Sequence, residues 1–141
     1  MIEGHAWSDW LEVGDGDLDN DHHLQMRLVS SLIDAMEEGR PWLAHRLADH
    51  LRDSSAAHFA TEEERMMAGA YPDRLAHRRE HDALVGRLDE LVSLVDAEDG
   101  AAAVAAAIDL RSALANHIGT SDRRLASHEA ALRERASSNA P

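Results

Sequence analysis

Seven side chains in this sequence have the types and spacing to hold metal ions: His22, His58 with Glu62, His77 with His81, and His117 with Asp122. Imidazole nitrogen and carboxylate oxygen are the donors that suit iron, manganese or zinc, and a spacing of four residues puts two side chains on one face of a helix. Five imidazoles and two carboxylates exceed the needs of a single ion. They are more economically explained as the ligands of two. The chain has no cysteine, which removes disulfides, thiolate zinc sites, iron–sulfur clusters and cysteine nucleophiles together.

Helices must position these groups. Beyond an irregular N-terminal arm through about Asp17 the hydrophobic period is helical, and no segment alternates as a strand. Gly39-Arg40-Pro41 and Gly69-Ala70-Tyr71-Pro72 each stop one helix and start the next, because glycine suits the position after a helix end and proline the first turn of a new helix. Gly100 separates the acidic end of a third helix, Asp96-Ala97-Glu98-Asp99, from the alanine-rich start of a fourth. Four long helices with short connections predict an all-α fold, an antiparallel up-down-up-down four-helix bundle. The domain is expected over residues 1–136, with a frayed polar tail over 137–141.

Helical phase tests which candidates face the core. Steps of three and four from His22 meet Leu18, Met26, Val29, Ile33 and Met36, an apolar stripe, whereas the same steps from His23 meet Arg27, Ser30, Asp34 and Glu37. His22 therefore points inward and His23 to solvent. His58 and Glu62 continue a line through Leu47, Leu51 and Met66, with Glu63 and Glu64 as surplus charge. His77 and His81 head the stripe Leu84, Leu88, Leu91 and Val95. A buried carboxylate such as Glu62 costs several kcal/mol unless it is paired, protonated or metal-bound. His117 and Asp122 are five apart, about 140° around an ideal helix. They are expected on opposite edges of one inward face, unless a local bulge draws them together. His5, His45, His50 and His128 show no comparable alignment.

The 141 residues suit one domain, and the formal net charge of −13 arises from 27 acidic against 14 basic residues, all of the latter arginine. Such a surface repels nucleic acid and anionic membranes. The N-terminus lacks the basic start and apolar run of a secretory signal, and no stretch approaches a membrane span, so the cytoplasm is the expected location.

The segments Leu18-Asp19-Asn20-Asp21-His22, His58-Phe59-Ala60-Thr61-Glu62-Glu63, Tyr71-Pro72, His77-Arg78-Arg79-Glu80-His81 and Asn116-His117-Ile118-Gly119-Thr120-Ser121-Asp122 occur in this order. Together they resemble the hemerythrin family over most of the chain. The opening Trp10-Leu11-Glu12-Val13-Gly14 is similar to the start of its bacterial members. The resemblance implies two iron ions, His77, His81 and His117 on one, His22 and His58 on the other. Glu62 and Asp122 would bridge them beside an oxo or hydroxo group. It implies that O2 binds reversibly at the open position of the second iron as a peroxide, protonated by the bridge, with no residue serving as acid or base. Phe59, Leu84, Ala113 and Leu114 would line the O2 pocket. Leu84 and Ala113 depart from the aromatic lining of the family, and this thinner wall predicts faster autoxidation.

Rival chemistries explain less. His77-Arg78-Arg79-Glu80-His81 fits the H-x-x-E-H pattern of inverted zinc peptidases with Glu80 as general base, but that leaves five of the seven ligands without a task. A ferritin-like site needs Glu-x-x-His pairs, and none occurs. Zinc or manganese occupancy stays open, as does a mainly structural metal. So does a redox enzyme reducing peroxide or nitric oxide at the same centre, or a sensor read by a separate redox or signalling partner.

Overall fold

The computed structural model describes residues 11–138; His5, Trp10 and residues 139–141 lie outside the described residues. Helix α1 spans Gly16–Glu37, α2 Pro41–Ala68, α3 Arg74–Asp96 and α4 Gly100–His117. A π-helical turn, Ile118–Asp122, then leads directly into α5, Arg123–Ser138, so that the last two helices form one continuous rod. Helix α5 includes Ser137 and Ser138. The four-helix bundle is antiparallel as expected, α1 packing on α2 and α4, and α3 on the same two neighbours.

Local signals set the helix ends. Asp15 caps α1, its carboxylate accepting the Leu18 N–H at 3.1 Å, and Asp17 and Asp19 lie in the first turn where the helix dipole favours anions. Pro41 opens α2 and Asp99 caps α4. Three helices finish in a left-handed residue: Gly39 (φ 67°), Ala70 (φ 48°) and Glu98 (φ 55°). In each, the next residue's N–H reaches back to a carbonyl five positions earlier, Arg40 to Ala35, Tyr71 to Met66 and Asp99 to Leu94. Glycine was expected to serve the second and third turns. Gly69 does follow the last residue of α2, but the left-handed residue there is Ala70; in the third turn it is Glu98, and Gly100 is already the first residue of α4.

The inward stripes form an apolar core around Val29, Leu32, Leu51, Leu88, Leu91, Leu110 and Leu114, with Ala103 and Ala107 buried where the thin face of α4 meets its neighbours. A smaller cluster, Met66, Tyr71 and Leu125, closes the end of the bundle that holds the α2–α3 connection. Arg65 fastens that end. Its guanidinium donates to Glu129 on α5 at 2.6 and 3.0 Å and to the capping Asp15 at 2.7 Å, joining three helices through one cation. No helix among the described residues is long and apolar enough to cross a membrane.

Candidate metal centre

His22 lies near the start of α1, His58 and Glu62 near the end of α2, His77 and His81 near the start of α3, and His117 at the end of α4. In an antiparallel bundle all four places belong to one end. Asp122 reaches the same point because the π-turn spreads five residues over a single turn. It stands 3.1 Å from His117 on the same inward side. The expected placement of this pair on opposite edges is therefore corrected: the bulge brings them together.

None of the seven side chains is more than 4% exposed. Each carboxylate divides its two oxygens between two groups of histidines. Glu62 Oε1 faces His81 Nε2 at 2.9 Å and His77 Nε2 at 3.2 Å, while Oε2 faces His58 Nε2 at 3.0 Å and His22 Nε2 at 3.9 Å. Asp122 Oδ1 faces His77 Nε2 at 3.0 Å and His117 Nε2 at 3.1 Å, while Oδ2 faces His22 Nε2 at 2.9 Å. The donors thus form two overlapping sets, each with its atoms within 4.8 Å of one another: His77, His81 and His117 with both acids, and His22 and His58 with both acids.

The donor set fits metal ions. Among the described residues, every buried polar side-chain atom without a hydrogen-bond partner belongs to this cluster, including His22 Nε2, His58 Nε2, His117 Nε2 and both oxygens of Asp122. Several of these sit about 3 Å from one another without the alignment of a hydrogen bond. That is the separation of two ligands at right angles around an ion to which each bonds at about 2.1 Å. Without an ion the charges would have to balance among themselves. Burial disfavours a charged His22, but Asp122 and Glu62 outweigh it and raise its pKa to about 9; His77 is raised to about 9 by the same competition. Burial would lift Glu62 and Asp122, yet the facing histidines hold both well below the usual carboxylate range.

Outside the cluster stands a second set of acids. Asp21 accepts from His58 Nδ1 at 2.7 Å, Glu63 from His81 Nδ1 at 3.3 Å, and Glu80 from His117 Nδ1 at 2.8 Å. Each orienting acid adjoins a cluster residue of its own helix and reaches a histidine on the next: α1 to α2, α2 to α3, α3 to α4. An outward Nδ1–H held by a carboxylate leaves the Nε2 lone pair facing inward, as a metal ligand requires. Hydrogen bonds from Ser121 and His117 outweigh partial burial and lower the pKa of Glu80. Phe59 stacks on His81, ring centroids 4.3 Å apart at 17°.

The family model of the hemerythrin HHE cation binding domain matches residues 13–128, a span that includes all seven residues. The chain belongs to the hemerythrin family. It is 31% identical over 108 residues to the bacteriohemerythrin of Methylococcus capsulatus, covering 77% of this chain and 82% of that protein. It is 29% identical over 85 residues to the bacteriohemerythrin of Stenotrophomonas maltophilia and 28% over 85 to that of Pseudomonas aeruginosa. In both cases the match covers 60% of this chain and spans only 56% of the relative. No solved structure matches this hemerythrin-family chain significantly.

Several residues of this hemerythrin fold do more than their sequence positions indicated. Glu63 is not surplus charge, since it meets His81 and is itself met by Arg78 at 3.4 Å. Glu80 belongs to the outer set. His45 pairs with Asp96 at 2.8 Å, and His128 holds the Gly69 carbonyl at 3.1 Å; both lie apart from the cluster. His23 is half-exposed, 3.7 Å from Glu12. Asp21 carried a usable signal in retrospect, as an acid one turn from the apolar stripe and adjoining a buried histidine.

Proposed function

We propose that this protein holds two iron ions and binds O2 reversibly. His77, His81 and His117 would hold one ion, His22 and His58 the other, and Glu62 and Asp122 would be shared by the pair beside an oxo or hydroxo group. The observation that carries this reading is the division of each carboxylate's two oxygens between the two histidine groups. When bound, a diferrous pair would supply the two electrons that reversible O2 binding draws on. The chain's own part is to hold five neutral imidazoles and two carboxylates in place. It also keeps bulk water out with the buried Phe59, Leu84 and Leu114 and the partly buried Ala113, which we assign to the pocket wall. The count of ligands leaves the His22–His58 position one protein donor short of its partner, and O2 would bind there.

The bacteriohemerythrin relatives support the same class of ligand. A redox enzyme acting on peroxide or nitric oxide is the second reading, favoured by the small side chains of Leu84 and Ala113. Iron analysis at two ions per chain, followed by repeated cycles of deoxygenation and aeration under visible absorption, separates the two. Colour that returns on every cycle supports binding. Irreversible bleaching with consumption of peroxide supports the enzyme and sinks the carrier.

A further inference from the structure

A buried amide stands one turn from the cluster on α1. Gln25 is 2% exposed and donates from Nε2 to Ser55 Oγ at 3.0 Å across to α2, where Ser55 is fully buried. Gln25 follows His22 by three, Ser55 precedes His58 by three, Leu84 follows His81 by three and Leu114 precedes His117 by three. Because α1 and α3 run away from the site end and α2 and α4 run toward it, all four steps lead the same way, into the middle of the bundle. These four residues therefore form one layer beneath the histidines. Its α3–α4 half is apolar, whereas its α1–α2 half, under His22 and His58, carries an amide and a hydroxyl.

Glu62 and Asp122 step the other way. Glu62 follows His58 by four and Asp122 follows His117 by five, so both carboxylates enter from the closed end of the bundle. An ion held by His22 and His58 would then have the side free of protein ligands toward the layer of Gln25 and Ser55. A carboxamide nitrogen carries two N–H groups, of which Ser55 takes one. We infer that Gln25 is a ligand-selecting residue: its second N–H donates a hydrogen bond to an anion bound at the His22–His58 ion, with Ser55 holding the amide in place. This rests on the di-iron reading above. An apolar side chain at this position would leave a bound anion's charge without a donor, and hydrogen bonds to charged groups are the stronger class.

The test uses azide as the anion and nitric oxide as a neutral ligand on iron-loaded protein, oxidised for azide and reduced for nitric oxide. Gln25→Met keeps length and removes the donor, and Gln25→Leu serves if the first variant does not fold. Azide affinity, titrated by its visible band, is expected to fall about tenfold, with nitric oxide affinity changed less than about twofold. Unchanged azide affinity overturns the inference, as does an equal fall for both ligands, which would make the Gln25–Ser55 bond a purely structural tie. Failure of the unaltered protein to hold two irons or to give an azide band overturns the di-iron reading itself, a result distinguishable from either.

Discussion

Glu80 on α3 accepts the Nδ1–H of His117 on α4 at 2.8 Å and, through the same oxygen, the hydroxyl of Ser121 at 2.6 Å. One carboxylate thus fixes both the last histidine of the cluster and the π-turn that delivers Asp122. Glu80→Ala is expected to lower iron affinity by about 10- to 100-fold, the usual cost of losing an acid that orients a metal-bound histidine. Helix content should stay the same. Competition with a chelator measures the first and circular dichroism the second; undiminished affinity would assign Glu80 to the surface.

Glu62 offers one oxygen to each histidine group. On the proposed di-iron reading its replacement by alanine would remove a ligand from both ions at once and is expected to empty both positions. Elemental analysis of purified Glu62→Ala decides: two irons per chain would rule out the bridging role.

The metal-free protein should have a narrow pH range of greatest stability. His22 and His77 are raised from 6.5 to about 9, so their contribution is complete below about pH 6.5 and disappears as pH rises through 9. Glu62 and Asp122 are depressed from ordinary values of 4.5 and 3.8, so theirs is complete above those values and disappears on acidification. Thermal melts of metal-free protein should peak between about pH 4.5 and 6.5. Iron must displace the protons on His22 and His77, so loading at pH 7 releases acid, measurable with a pH indicator, and affinity rises with pH.

Ala70 holds a left-handed φ of 48°, where a β-carbon costs about 1 kcal/mol that glycine avoids. Ala70→Gly is expected to raise the melting temperature by about 3 °C without changing iron content. A lower melting temperature would show that the methyl group's packing outweighs the backbone strain.

Ala113 is only partly buried against the core, and a larger group there would thicken the wall assigned to the pocket. Ala113→Trp should slow the spontaneous bleaching of the oxygenated protein. Equal decay rates, followed at the visible band, would remove Ala113 from that wall.

Much of the fold was legible because apolar residues record which face of each helix is inward. His22 was separated from His23 on that basis alone, and the buried positions of His58, His77 and His81 follow the same rule. Of the orienting acids only Asp21, beside the inward His22, left a signal in the sequence. Asp21, Glu63 and Glu80 keep 50%, 31% and 42% of their side chains exposed, so in sequence they look like solvating charge, and their partners lie on other helices. The spacing of five between His117 and Asp122 left a bulge open beside edge placement, and the choice depends on what Ser121 and Asp122 meet across the bundle. Gln25 gave no signal in sequence because its partner, Ser55, is thirty residues away on α2.

The π-turn also shifts everything after it. One additional residue in a single turn rotates the rest of the rod by about 100° relative to an uninterrupted α-helix. With that offset Leu125 falls against Met66 and Tyr71, and Glu129 falls opposite Arg65. Chain length between His117 and Arg123 is consequently more constrained than residue type. Deleting any one residue from Ile118 to Ser121 would retain all seven cluster residues, yet turn the closing face of α5 outward and separate the clamp from the site it closes.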